Sequence, residues 1–130
     1  MILRRSTSLK NLRAQAHAVA LAGGTLLIYG GAMPATGGGD ITDQVLLAAF
    51  NLPVPVGTVD DGVFALAAVA DVLALADGIA AWVRVLDSVD GWLMDLDAGG
   101  AGSGAAIIIS PAQLYAGGVV RIERLRLIEP

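Results

Sequence analysis

The feature that most constrains the fold of this chain is the stretch of residues 79–97, which predicts a β-hairpin. Its arms are rich in Val and Trp, and successive side chains alternate between two faces, as they do in strands. One face of the first arm consists of Ala81, Val83 and Val85. Asp90-Gly91 tolerates the positive φ of a tight turn. Because both tryptophans of the chain, Trp82 and Trp92, lie here, we expect the hairpin to carry the heaviest packing.

Composition limits the chain to one domain with few chemical options. Its 130 residues are enough for a single hydrophobic core, and the absence of cysteine excludes disulfides and thiolate metal sites. With 55% hydrophobic and 15% charged residues, it is too apolar for a disordered chain. It is also unusually apolar for a lone monomer, so we expect a symmetric homo-oligomer, with a trimer as the first expectation.

One stretch resembles a targeting or membrane segment. Residues 14–39 contain no Asp, Glu, Lys or Arg and follow a basic segment, as in a signal peptide. Glycine pairs at 23–24 and 30–31, together with Pro34, interrupt it, so that no spanning helix of roughly 20 residues fits. We therefore predict no membrane segment.

Charge is distributed unevenly along the chain. Four of the eight basic residues lie in the first 13 positions, and no acidic residue precedes Asp40. Ten of the twelve acidic residues lie between Asp40 and Asp97. Such blocks often mark interaction surfaces, the alternative being a solvated tail. Residues 1–8 form a basic arm. The candidate partner-binding residues are Ile2, Leu3, Arg4 and Arg5 in this arm, and Lys10 and Arg13 just after it.

A helix is predicted directly after the arm. Ser6 or Ser8 can cap a helix that runs from Leu9 to Leu21, and Gly23-Gly24 is a typical end. Helical spacing gives it one apolar stripe, formed by Leu9, Leu12, Ala16, Val19 and Ala20. We assign residues 1–23 to the arm and helix, and residues 24–130 to a β domain.

The rest of the chain is predicted to be mostly strand. Strands are expected at residues 25–29, 45–52, 105–110 and 119–129, and the charges of the last one indicate a bulge or an edge position. Residues 58–62 are predicted to form a turn. Residues 63–80 are ambiguous, since their Ala and Leu favour a helix whereas alternation and the neighbouring strands favour extended structure.

No residue pattern indicates catalysis. His17 is the only histidine and has no carboxylate within a helical turn, so a surface or core role is favoured. Asp95 and Asp97 share a strand face, but glycoside hydrolysis also needs a sugar-binding cleft, and aromatic residues are few. The glycines of residues 31–43 lack the Lys-Ser/Thr ending of a phosphate-binding loop. We predict no catalytic residue, metal or cofactor, and the net charge of −4 argues against nucleic-acid binding.

Four segments together resemble a family of small structural proteins of tailed bacteriophages and prophages. They are Leu9-Lys-Asn-Leu-Arg13, the stretch of residues 24–36, Ala80-Ala-Trp-Val-Arg-Val-Leu-Asp-Ser88, and the closing strand. The resemblance implies a single-domain β-sandwich, jelly-roll or immunoglobulin-like, behind an N-terminal α-helix. It also favours strands over residues 63–76, although this chain is richer in Ala and Leu there.

What the resemblance implies about function is a virion role without enzymatic activity. The expected function is a capsid decoration (cement) protein that binds the major capsid protein in many copies on the virion surface, after assembly in the host cytoplasm. Two alternatives stay open, a tail or head–tail connector protein and a small carbohydrate- or cell-surface-binding module. Clustered exposed aromatics around Trp82, Trp92 or Tyr115 would favour the binding module.

Overall fold

One helix and eleven strands make up the fold in the computed structural model, which describes Ile2 and residues 4–128. The helix is α1 (Thr7–Leu21), and the strands are β1 (Thr25–Gly30), β2 (Val45–Asn51), β3 (Gly57–Asp60), β4 (Val63–Leu66), β5 (Val72–Leu73), β6 (Gly78–Ile79), β7 (Trp82–Leu86), β8 (Trp92–Gly99), β9 (Ile107–Ser110), β10 (Gln113–Leu114) and β11 (Val119–Ile128). The predicted fold class, a mainly β, sandwich-like single domain with an N-terminal helix, is confirmed.

Helix α1 begins at Thr7, two residues before the predicted start at Leu9, and it ends at Leu21 as predicted. The Ser6 hydroxyl oxygen accepts the Leu9 backbone N–H at 3.1 Å, so Ser6 is the N-cap. At the other end, the Gly24 N–H donates to the Leu21 carbonyl at 2.9 Å. Ala14 and Leu21 are buried against the strands, and α1 lies over β3 and β4. The boundary between residues 23 and 24 stays a prediction, since α1 shares the core of the β domain.

The strands form one curled sheet and one short ladder. Hydrogen bonds join the main sheet in the order β2-β1-β7-β8-β9-β11-β4-β3, and β6 pairs separately with β10. The β8–β9 pair is parallel, whereas the other paired strands are antiparallel. Strand β5 pairs with β11, and Leu75 just after it donates to the Leu47 carbonyl of β2 at 2.7 Å. The stretch of residues 72–75 therefore bridges β11 and the far end of the sheet.

The core lies inside the curl and under α1. Alternation turns Leu26 and Ile28 of β1, and Val83 and Val85 of β7, inward. They meet the largest buried apolar side chains of the other elements, which include Phe50, Phe64, Leu47, Ile107, Ile109 and Leu114. Across the described residues, no polar or charged residue is fully buried, as expected when apolar burial provides most of the stability.

The central hairpin is confirmed, but only one of its tryptophans is packed. β7 and β8 pair antiparallel with Trp82 opposite Asp97, and Asp90 in the connecting turn has a φ of 64°. Trp82 is 1% exposed, whereas Trp92 is 47% exposed. The expectation of heavy packing at Trp92 was wrong, because this residue opens β8 beside the turn and its ring lies against the exposed Gly37 and Gly38 rather than in the core.

Two further regions refine the sequence interpretation. The predicted turn of residues 58–62 was too long, since only Asp61-Gly62 form the turn. Residues 58–60 belong to β3, where pairing with β4 holds them extended. Residues 63–80 contain β4, β5 and β6, and this described stretch contains no helix because tertiary pairing with β11 overrides the helix propensity of Ala and Leu.

The bulge predicted for the last strand is confirmed. The pairing of β11 with β9 shifts register between Ile122 and Arg124, while Glu129 lies outside the described residues.

Candidate interaction surfaces

The predicted partner-binding residues divide between surface and packing. Ile2 is 85% exposed and Arg4 is also exposed, while Leu3 lies outside the described residues. On α1, Arg13 is exposed but Lys10 is half-buried. The remaining candidate, Arg5, is half-buried.

Lys10 lies on the packing side of α1. A Cβ placed on Gly62 would lie 2.9 Å from the Lys10 Cβ, and the neighbouring Asn11 accepts the Gly62 N–H at 2.7 Å. Lys10 therefore helps to seat α1 on the β3–β4 turn, and Ile2, Arg4 and Arg13 are the candidates left on the open surface.

Helix α1 presents an exposed apolar row, which we call the helix stripe: Leu9, Leu12, Ala16 and Val19. Leu9 is 45%, Leu12 68% and Val19 79% exposed, and Ala16 is exposed as well. The spacing of three, four and three residues puts them on one face, as in the seam of a coiled coil. Helical periodicity identifies this stripe in the sequence, but it does not tell whether the stripe faces the core or the solvent. The strands instead cover the opposite face, which carries Ala14 and Leu21.

A second exposed apolar surface was missed by the sequence analysis; we call it the strand patch. It consists of Leu73, Leu75, Ile79, Tyr115 and Val119, which are 60%, 61%, 62%, 64% and 55% exposed. Val119 is directly opposite Leu73 in the β5–β11 ladder, so these two side chains share a face. Ile79 belongs to the separate β6–β10 ladder, whereas Leu75 and Tyr115 follow β5 and β10. Strands this short carry weak periodicity, so the sequence pattern did not mark these residues as exposed.

A polar network fastens the loop of residues 31–44 to the outer face of the hairpin. Arg84 Nε and Nη2 donate to the two carboxylate oxygens of Asp95 at 2.9 and 3.2 Å. Arg84 Nη2 also donates to the Gly39 carbonyl at 2.9 Å, and the Gly38 N–H donates to Asp95 at 3.1 Å. The Trp92 indole N–H donates to the same carboxylate at 3.1 Å. These contacts occupy the carboxylate from several sides, so Asp95 has a structural role.

The surroundings of this network favour the charged forms. Burial opposes ionisation of Asp95, but hydrogen bonds from Arg84, Trp92 and Gly38 outweigh it and hold the pKa of this carboxyl below its usual range. The hydrogen bond with Asp95 raises the pKa of Arg84. Asp97, the other carboxylate of the hypothetical pair, accepts the Ala106 N–H at 3.0 Å. Each acid is thus engaged separately, an arrangement unlike a catalytic carboxyl pair.

Beneath Arg84 lies a buried aromatic stack. Trp82 and Tyr29 stack with ring centroids 4.7 Å apart, and the guanidinium carbon of Arg84 lies 5.3 Å from the Trp82 ring centre. Among the described residues, the indole N–H of Trp82 meets no acceptor, so stacking and packing rather than a side-chain hydrogen bond hold this ring.

A shallow groove of about 590 Å³ lies outside β9 and β11. Its lining includes Ile108, Ser110, the loop of residues 100–102, and Glu123 and Arg124 beside the β11 bulge. Ser110 has no histidine near it, because the lining does not include His17, whose ring lies 6.3 Å from that of Phe64 under α1. The groove therefore offers an apolar floor with one acid and one base, and no nucleophile–base pair.

Three other findings concern sites and partners. Within the described ranges, no three His, Asp or Glu residues are grouped so as to hold a metal, and no helix is both long and apolar enough to cross a membrane. The two exposed aromatic rings, Trp92 and Tyr115, take no part in the ring contacts found between described residues.

Comparison with known proteins found no match for this chain. No protein-family model matches the sequence, and no curated protein or solved structure is significantly similar to it.

Proposed function

We propose that this chain is a bacteriophage virion structural protein that binds the head shell in many copies as a capsid decoration (cement) protein. The observation that carries the proposal is the helix stripe, an exposed apolar row that directly follows a basic arm. The virion assignment itself rests on the four sequence segments that resemble structural proteins of tailed bacteriophages. The mainly β fold behind one helix is of the kind that this resemblance implies, which supports the assignment.

The chemistry of the stripe defines what it would bind. A helix with one exposed apolar face typically docks into an apolar groove, and exposed apolar rows are usually covered in the working assembly. Ile2 is a further exposed apolar side chain ahead of the helix, while Arg4 and Arg13 add positive charge. The matching partner surface is an apolar groove bordered by acidic side chains.

The energies explain why many copies are needed. Each exposed ion pair contributes only about 0–1 kcal/mol, so the arm cannot hold the protein by charge alone. Burying a side chain such as Leu12 or Val19 contributes roughly 1.5–3 kcal/mol, from which the cost of association must be subtracted. A single contact of this size is weak. Repetition over a lattice of identical subunits raises the overall affinity, as expected of a capsid surface.

The alternative functions find less support. A tail or connector protein would use the same stripe, so it is distinguished only by which part of the virion is bound. A carbohydrate-binding module would need clustered exposed rings, but Trp82 is buried, and Trp92 and Tyr115 lie on different elements. The structural role is therefore the better-supported proposal.

The test measures binding to heads and tails prepared separately from the phage that encodes the protein and stripped of this chain. Leu12→Glu should lower occupancy of heads at least tenfold, because it places a charge in the centre of the stripe. The matched control is Gln15→Glu, an exposed α1 position beside the stripe, which should change occupancy less than threefold. Circular dichroism checks that both variants stay folded.

The arm is tested by deleting residues 1–5, which keeps the Ser6 cap in place. Weaker head binding at physiological salt is expected, with a smaller difference at molar salt, where the Debye length shrinks to about 3 Å. Undiminished binding of both the deletion and Leu12→Glu would refute the docking surface. Binding of the unaltered protein to tails alone would refute the decoration role.

A further inference from the structure

The loop of residues 31–44 forms a closed unit at one end of the β1–β2 pair. Gly30 and Val45, which flank it, are directly opposite each other in that ladder. The Gln44 side-chain amide donates to the Ala32 carbonyl at 2.7 Å, so the two ends of the loop are also joined to each other. A loop of this length whose ends meet is an Ω-loop, which is packed largely by its own contacts. Its stem is therefore closed independently of the hairpin that it lies over.

The loop has little apolar anchorage. Its residues are exposed except for Pro34, Gly39 and Gln44, which are half-buried. In the described part of the chain, the hydrophobic core includes no residue from 31 to 44. Segments with few buried apolar contacts open at free energies well below that of global unfolding. Contacts with the hairpin must therefore hold the loop in place.

Two hairpin side chains, Arg84 and Asp95, connect the loop to the sheet. Arg84 donates to the Gly39 carbonyl at 2.9 Å, and Asp95 accepts the Gly38 N–H at 3.1 Å. The two side chains are also bonded to each other, at 2.9 and 3.2 Å. Hydrogen bonds that involve a charged group are roughly twice as strong as neutral ones. Loss of the Asp95 charge weakens both connections at once, because this carboxylate also orients Arg84.

A small aromatic cluster lies on the same face of the hairpin, apart from the main core. Tyr29 and Trp82 are buried, but they are not members of the core cluster. Arg84 shares the outer face of β7 with Trp82, and its guanidinium carbon lies 5.3 Å from the ring centre. Satellite clusters of this kind are usual under long loops. Release of Arg84 would uncover an indole ring whose N–H has no acceptor among the described residues.

We infer that residues 31–44 form a lid that opens as one unit while the sheet stays folded, and that the Arg84–Asp95 pair holds it closed. The hinge lies at the stem, where Gly31 has a φ of +92° and a Cβ on it would lie 3.6 Å from Gln44. Opening exposes a face with an aromatic ring, a guanidinium and a carboxylate, all of which are largely buried in the closed state. Helix α1 lies over β3 and β4, so this motion is independent of the proposed docking.

The first test measures the motion directly, since a chain without cysteine accepts spin labels in chosen pairs. One label is attached through Ala35→Cys on the lid and one through Val89→Cys at the hairpin turn, both at exposed positions. Electron paramagnetic resonance should give one narrow distribution of distances for this pair. Asp95→Asn should raise the population of longer distances at least tenfold. The matched control, Asp60→Asn on β3, should leave the distribution unchanged.

A reference pair separates opening of the lid from loosening of the whole sheet. Its labels are attached through Val89→Cys and through Val119→Cys on β11, where the native side chain is 55% exposed. Asp95→Asn should not change the distances of this pair. Unchanged distances for the lid pair in Asp95→Asn would overturn the inference, and so would a change in both pairs. Leu12→Glu on α1 should change neither pair, which separates this result from the proposed function.

A second test uses thermolysin, which cleaves before large apolar residues such as the exposed Met33 and Ile41 of the lid. Asp95→Asn should speed cleavage within residues 31–44 at least tenfold, because the open lid fits a protease site, whereas cleavage within the strands should stay slow. Asp60→Asn should cleave like the unaltered protein. Equal acceleration at sites in the lid and in the strands would mean global unfolding and would overturn the inference.

Discussion

Asp95 accepts four hydrogen bonds, from Arg84, Trp92 and the backbone of Gly38, although it lies on the outer face of the sheet. The Asp95 and Arg84 side chains are only 4% and 11% exposed, because the loop of residues 31–44 lies over them. These hydrogen bonds join the glycine-rich loop to the hairpin. The loop has little apolar surface of its own, so it depends on them. Its stability should therefore depend on the charge of one carboxylate.

Asp95→Asn should lower the free energy of unfolding by about 1–3 kcal/mol at pH 7, because buried donors lose a charged acceptor. Hydrogen bonds from Arg84, Trp92 and Gly38 hold the pKa of Asp95 below its usual range, so the stabilisation by the ionised group is fully present above the pKa of the unfolded carboxyl. This contribution is lost as the pH falls through the depressed folded pKa, and the two proteins should then converge in stability. Urea unfolding at pH 7 and in steps down to strongly acidic pH measures it.

The control for this prediction is Asp60→Asn, an exposed carboxylate on β3, which should have little effect at either pH. A difference between Asp95→Asn and the unaltered protein that does not change with pH would contradict the assignment.

The two tryptophans should differ in their contribution to stability. Trp82→Ala removes a ring that is 1% exposed and should cost about 3–5 kcal/mol. Trp92→Ala removes a ring that is 47% exposed and one hydrogen bond, and should cost only about 1–2 kcal/mol. Thermal melts of both variants compare them directly, and equal losses would show that the burial difference does not control stability.

Among the elements, the loop of residues 31–44 depends most closely on its glycines. Gly38 has a φ of +71°, and a Cβ there would lie 2.9 Å from the Trp92 ring. The close approach allows the Gly38 N–H to reach Asp95 while Trp92 packs beneath the loop. Any side chain at this position must move either the loop or the indole.

Gly38→Ala should therefore destabilise the protein by about 2–3 kcal/mol, from backbone strain and the steric clash together. Gly102→Ala is the matched control, since Gly102 has a φ of +80° but nothing within 4 Å of its added Cβ. It should cost only the strain, about 1 kcal/mol. Denaturant unfolding of both variants separates the two effects; equal losses would mean that the contact with Trp92 is unimportant.

For the whole molecule, the last strand completes the fold. β11 pairs with β9, β4 and β5, and it contributes Val120 and Leu125 to the core. Before the Ser6 cap of α1, the residues that the structure describes, Ile2, Arg4 and Arg5, contribute no strand. The two ends of the chain should therefore differ in their importance for folding.

A chain that ends at Gly118 should show no cooperative unfolding transition, because three strands lose their partner at once. Deleting residues 1–5 should leave the melting temperature nearly unchanged. Circular dichroism melts of both truncations test the contrast. A cooperative transition in the chain without β11 would show that the remaining strands form a stable core on their own.

The sequence alone predicted the features that depend on near neighbours. Side chains within a few positions predicted the hairpin, the helix end at Gly23-Gly24, a cap at Ser6 or Ser8, and a bulge or an edge position in the last strand. The structure has the cap at Ser6 and the bulge in β11. Of the candidate site, it placed Ile2 and Arg4 on the surface, but it grouped with them Lys10, which packs against Gly62. Local chemistry specifies such features because it acts over one turn of helix or one strand pair.

Which face of each element is covered was decided only by the tertiary structure. Periodicity predicted the helix stripe, yet β3 and β4 cover the opposite face of α1. Trp92 and the strand patch are exposed for the same reason, since burial depends on which distant segment packs over a residue. Within residues 63–80, β4 and β5 are strands because β11, more than 40 positions away, pairs with them. Burial is a non-local property, whereas periodicity records only that a face is apolar.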